Sequence, residues 1–182
     1  MLSRAEALIL VKEKVSNKNL IKHMLAVETV MGALAGHFDE DVSTWELTGL
    51  LHDLDYDQTV DDPDHHTLIT ADILSEKGIS GDIIHAIKCH NQKATPRSPM
   101  DWALWAVDPL TGFIVACALM HPSKSLKNLD LNFLKRRFKE KRFAAGASRE
   151  QMSDCQKLGL DLDAFLNLSL KAMQSIDKEL GL

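Results

Sequence analysis

Residues 20–34 read LIKHMLAVETVMGAL. Leu20, Met24, Val27, Met31 and Leu34 recur at intervals of three and four, never two, which aligns them along one face of a helix. Outward from this segment the same spacing continues through most of the chain, and β-branched alternation is absent almost everywhere. The fold class expected is all-α: a single-domain helical bundle of about eight to nine helices. The spacing predicts helices over 3–15, 18–36, 44–54, 65–77, 80–91, 101–120 with a break near Pro109, 130–140, 148–157 and 161–179. Ser3 with Glu6, Ser43 with Glu46 and Ser148 with Gln151 fit the capping-box pattern at helix starts, and Gly78 and Gly159 read as stops. The loosest stretch, NQKATPRSPM at 91–100, reads as a loop within the domain.

The chain has 182 residues, 45% apolar and 26% charged, which is enough to bury a core as one soluble domain. A net charge of −5 gives no global reason to expect an anionic membrane or specific nucleic-acid binding. Three widely spaced cysteines, Cys89, Cys117 and Cys155, form no CxxC pair and fit a reducing cytoplasm. The N-terminal MLSRAEALILVKEKV carries too many charges for a signal peptide. The segment from Trp102 to Met120 approaches a membrane span in length, but Asp108-Pro109 at its middle argues for a buried core helix instead.

Function enters where polar residues interrupt the apolar rows. His23 lies three residues after Leu20 and four before Val27, inside the row, whereas His37 falls past the helix end. His90 continues the row of Ile83, Ile84 and Ile87, while His85 points elsewhere. His66 continues Ile69 and Ile73, with His65 on a more polar line. GLLHDLDYD at 49–57 turns from leucines to His52 and Asp53, and Asp108 is the one charge between Trp102 and Met120. A buried histidine bonded to a carbonyl is an ordinary core feature. Several inward histidines together with buried carboxylates are a donor set for a transition metal.

The order of His23, His52-Asp53, His66, His90 and Asp108 resembles the two-metal branch of the HD superfamily of metal-dependent phosphohydrolases. HHTLITADIL and AIKCHN supply the two later histidines, and VDPLTGFIVA is similar to that branch's aspartate segment. The resemblance implies a metal-binding core over about 18–120 and a C-terminal helical extension over 124–182, together one HD-type domain. It implies two divalent ions, with Fe or Mn fitting best and Zn, Co, Ni or Mg also compatible. His23, His52 and Asp108 would hold one ion and His66 and His90 the other. Asp53 would bridge, and His52 and Asp53 would be catalytic. Four positive charges against two carboxylates leave a net charge near +2, suited to a phosphate.

The implied function is hydrolysis of a phosphoester or phosphoanhydride by a metal-activated water. The expected partner is a small-molecule phosphate or nucleotide, and homo-oligomerisation is left open. A di-iron oxygenase on the same six residues is the alternative, and a non-catalytic metal- or nucleotide-binding regulator is the second. Lys141 and Arg149, from KRRFKEKRFAAGASRE, are expected to fold over the site and bind phosphate. His65, Asp55 and Asp57 are expected to orient the ligands from behind.

Overall fold

Among the described residues, 2–182 of a computed structural model, eleven α-helices carry the fold. They are α1 (Arg4–Lys14), α2 (Lys18–His37), α3 (Val42–Leu51), α4 (Tyr56–Thr59), α5 (Leu68–Glu76), α6 (Gly81–His90), α7 (Pro99–Met120), α8 (Leu131–Phe138), α9 (Arg149–Ser153), α10 (Leu162–Ser175) and α11 (Asp177–Leu180). Short 3₁₀ turns occupy Leu126–Asn128 and Asp154–Leu158. No strand occurs among the described residues. The helix count exceeds the expected eight or nine because α4 and α11 are single turns, too short to show a periodicity of their own.

The helix starts follow local chemistry. Ser3 and Glu6 form the reciprocal capping box at α1, and Ser148 caps α9 by accepting from the Gln151 N–H. The expected Ser43–Glu46 box is not what starts α3: Asp41 caps it, accepting from the Thr44 N–H at 2.7 Å, and the helix begins at Val42. Ser98 and Asp101 make a second full box, with Pro99 in the first turn of α7 where its missing N–H costs nothing. Gly78 and Gly159 take positive φ as helix stops.

The break expected at Pro109 does not occur: α7 runs through it without interruption. An interior proline costs about 3 kcal/mol. Leu104, Ala106 and Val107 before it, and Leu110, Phe113 and Ile114 after it, are all buried, and their packing on both sides keeps the axis whole. This helix is long and apolar enough to cross a membrane, yet it is the central core helix, packed against α2, α6, α8, α9 and α10.

α2 runs along α3 and α7. Gly49 of α3 lets the α2 backbone approach so closely that a Cβ there would lie 2.8 Å from the Glu28 Cα. Glu28 is buried and is held by a fork from Arg4, at 2.6 and 2.9 Å, which docks α1 on α2. One apolar cluster extends from Ala7 in α1 to Leu180 in α11, so the C-terminal helices share the core of the rest.

Candidate metal centre

Three helices and two turns bring the six sequence-predicted donors together. α2 supplies His23, the end of α6 supplies His90, and the middle of α7 supplies Asp108. His52 and Asp53 lie just past α3 rather than inside a helix reaching residue 54, because the chain turns at residues 52–55. His66 also sits off its helix, in the turn before α5. Thr67 there adopts φ +71, and Asn91 Nδ2 donates to the Pro63 and His66 carbonyls at 3.3 and 3.2 Å. Leu47, Leu50, Leu51 and Leu54 are buried around the His-Asp turn and anchor it.

Each of the four imidazoles has its Nδ1 committed to an acceptor. His52 Nδ1 faces the Gly49 carbonyl at 2.8 Å, and His90 Nδ1 faces the Ile87 carbonyl at 2.6 Å. His66 Nδ1 faces Asp55 Oδ1 at 2.8 Å. His23 Nδ1 lies 3.0 Å from Thr111 Oγ1, whose own proton goes to the Asp108 carbonyl. A carbonyl can only accept, and so can the ionised carboxylate; the threonine oxygen has spent its proton. In each neutral ring Nδ1 therefore carries the hydrogen, and Nε2 presents a bare lone pair.

All four Nε2 atoms face the Asp53 carboxylate. His23 and His52 Nε2 are 3.1 Å apart, with Asp108 Oδ1 at 3.0 and 3.7 Å from them. Asp53 lies between two pairs: its Oδ2 faces His52 at 3.3 Å and His23 at 3.6 Å, and its Oδ1 faces His66 at 3.3 Å and His90 at 3.4 Å. Lone pairs this close repel unless protons or a cation lie among them.

The electrostatics agree. Burial works against a charge on His52, yet Asp53 and Asp108 outweigh it and push its pKa up to about 10. Burial likewise opposes charge on His66, and Asp53 and Asp55 push it up to about 9. Burial alone would raise the Asp53 carboxyl, but His52, His66 and His90 hold it well below the usual carboxylate range. Asp108 is lowered too: burial opposes this, and His23 and His52 prevail. Two carboxylates in a ring of imidazoles thus draw positive charge inward, as protons on the histidines or as a metal ion, and the donor set fits a metal ion.

Of the residues expected behind the ligands, only Asp55 is there. It is fully buried and divides its carboxylate between His66 Nδ1 and the Thr70 N–H. Asp57 instead accepts from Ser16 and Asn17 and fixes the α1–α2 corner. His65 pairs with Asp62 on the surface, its side chain 64% exposed. Asp108, expected to be buried, keeps 29% of its side chain exposed because it opens into the cleft above the centre.

That cleft, about 430 Å³, is lined by five of the six donors, all but the fully buried His52, together with Leu20, Tyr56, Asn91, Gln92 and Gln151, none of which the sequence marks as a site residue. Asn91 and Tyr56 adjoin motif residues. Gln151 arrives from α9, distant in sequence, and its one local signal is the capping pattern with Ser148, which says nothing of the cleft. Tyr56 packs edge-on to His66, the ring centroids 5.2 Å apart.

Arg149 does not face the cleft. Its guanidinium donates to the carbonyls of Phe138, Phe143, Ala144 and Ala147 and lies 4.5 Å from the Phe113 ring centroid. With its donors engaged, it fastens the turn between α8 and α9. Lys141 is exposed on that turn and is not among the cleft-lining residues. Arg149→Ala is expected to cost about 2–4 kcal/mol, since carbonyls and an aromatic face lose a charged partner together. A thermal melt should record a fall in Tm of about 4–15 °C. The Michaelis constant should stay unchanged, and a raised constant at unaltered Tm would instead return Arg149 to substrate binding.

The family model described as HD domain matches residues 20–121. Ribonuclease Y of Nitratidesulfovibrio vulgaris (strain DP4) is 34% identical over 98 residues, covering 53% of this chain and 18% of that protein. Ribonuclease Y of Desulfotalea psychrophila is 29% identical over 168 residues, covering 90% of this chain and 32% of that protein. The chain thus spans about a fifth to a third of the length of these relatives. No solved structure matches.

Proposed function

The chain belongs to the HD domain family, and from that premise we propose that it is a metal-dependent phosphodiesterase acting on RNA or short oligoribonucleotides. The observation that carries the metal-dependent chemistry is the convergence of four Nε2 atoms and two carboxylates in one cluster. RNA replaces the free phosphate or nucleotide expected from the sequence because the relatives are named Ribonuclease Y.

In this reading His23, His52 and Asp108 would hold one ion and His66 and His90 a second, with Asp53 a donor shared between the two sets. The pairing is supported by Asp53 Oδ2 facing the first histidine pair and Oδ1 the second. A bound divalent pair supplies Lewis acidity toward phosphate oxygens and acidifies water to near neutral pH. Gly49, Ile87, Thr111 and Asp55 keep the four rings in one tautomer and orientation, so the donors need no rearrangement on loading. Gln92 and Gln151 offer amide donors at the mouth, and Tyr56, 41% exposed, offers a ring on which a base can stack. Residues 124–182 act as part of the same unit, a proposal supported by the shared core and by Gln151 at the cleft.

Protein loaded with Mn or Fe should shorten a 5′-labelled single-stranded oligoribonucleotide, and chelation should stop it. Hydrolysis of nucleoside monophosphates or dinucleoside polyphosphates, with RNA left intact, would replace RNA as the substrate. Oxygen uptake with iron and no phosphoester turnover would overturn the hydrolase reading.

A further inference from the structure

On the far face of α6 lies a second convergence of ligand atoms that the function above does not use. His85 and Cys89, four residues apart, share one face of α6, and Asp101 from the first turn of α7 meets them. His85 Nδ1 lies 3.1 Å from Asp101 Oδ2 and 3.5 Å from Cys89 Sγ. All three atoms lie within 4.8 Å of one another. Cys89 is fully buried and Asp101 nearly so, while the His85 side chain, 20% exposed, opens to water.

One hydrogen bond at His85 Nδ1 cannot engage all three groups. A ring nitrogen has one in-plane direction, holding either a proton or a lone pair. If Nδ1 donates to Asp101, it has no lone pair left for the Cys89 thiol 3.5 Å away. If Nδ1 accepts from the thiol, its lone pair is spent, and the carboxylate oxygen 3.1 Å away faces a nitrogen with no proton to give. A cation serves all three at once. Bonds of about 2.0–2.3 Å in a tetrahedral site place neighbouring donors about 3.3–3.7 Å apart, close to the 3.1 and 3.5 Å found. Asp101 Oδ2 is also oriented from behind by the Arg97 and Ser98 backbone N–H groups, each at 2.9 Å.

We propose that His85, Cys89 and Asp101 form a mononuclear site for a zinc-like divalent ion, with water in the fourth position on the His85 side. The one-sulfur, one-nitrogen, one-oxygen set selects softer ions than the sulfur-free centre around Asp53. On binding, the Cys89 S–H bond breaks, its proton passes to solvent and a metal–sulfur bond forms. The ion ties the last turn of α6, which ends in His90, to the start of α7, which carries Asp108. It is a structural clamp behind the cleft, and it does not depend on which substrate the cleft takes.

The test uses the whole chain, stripped with a chelator and reloaded with Co²⁺. A thiolate-to-cobalt charge-transfer band should appear in the near ultraviolet, survive in Asp53→Asn and vanish in Cys89→Ser. Metal analysis after zinc loading should show one ion fewer per chain in Cys89→Ser and in His85→Gln than in the parent. His85→Gln alters a partly exposed side chain, so it keeps the comparison open if Cys89→Ser does not fold. Absence of the band in the parent protein, or an unchanged zinc count in His85→Gln, would overturn the site.

Discussion

Asp53→Asn is expected to lower metal-dependent hydrolysis on the order of 10³-fold or more while leaving the helix content by circular dichroism unchanged. The size follows from position. Asp53 faces all four Nε2 atoms, two through each oxygen. An amide of the same shape keeps the volume but removes one of the two negative charges that draw a cation in, and it turns an N–H₂ toward one pair of nitrogens. Losing preorganised charge stabilisation at a reacting phosphate typically costs two to three orders of magnitude per group, and here loss of the ion itself is added. A factor of 10³ corresponds to about 4 kcal/mol of transition-state stabilisation. Metal titration separates the site from the fold: the rise in Tm on adding Mn should be large in the parent and nearly absent in the variant. Parent-like turnover in Asp53→Asn, or a parent-like Mn shift, would remove Asp53 from the centre.

The helices were legible in the sequence because a buried stripe leaves a period of three to four residues, and α2 and α6 show it plainly. His23 and His90 were legible for the same reason: each occupies a position that its stripe reserves for an apolar side chain. His66 continues the row of Ile69 and Ile73 only on paper, since the residue stands in a turn where helical spacing has no meaning. Its alignment with the HD resemblance, rather than its row, is what located it. His52 and Asp53 also lie in a turn; the abrupt change from leucines in GLLHDLDYD marks them, and the resemblance assigns their roles. Arg149 and Gln151 show what spacing cannot reach. Both lie in or just after a basic, polar stretch; one folds inward onto four carbonyls and the other reaches the cleft, and only tertiary packing separates them. His85 points away from the apolar row of α6. That direction is what places it beside Cys89 and Asp101.

Gly49→Ala is expected to cost about 3 kcal/mol or more and to weaken metal binding at least about tenfold, although it adds one methyl group and touches no donor. The added carbon would lie 2.8 Å from both the Cα and the N of Glu28 and 2.9 Å from the carbonyl carbon of Val27. These are backbone atoms inside α2, so no side chain can swing aside and α3 must move outward. Overpacking that forces backbone shifts costs about 1–3 kcal/mol and occasionally more. In a chain this long, 3 kcal/mol lowers Tm by about 6–12 °C. The same displacement reaches the metal centre by a short route. The Gly49 carbonyl accepts from His52 Nδ1, three residues on, and His52 Nε2 must meet His23 Nε2 of α2 across the helix contact being forced apart. A gap of a few tenths of an ångström there spoils the donor geometry while the helices remain formed. Calorimetry with Mn well below the variant's Tm should therefore show weakened binding in a folded protein. A variant with parent-like Tm and parent-like Mn affinity would mean that the α2–α3 approach at Gly49 does not set the distance between His23 and His52.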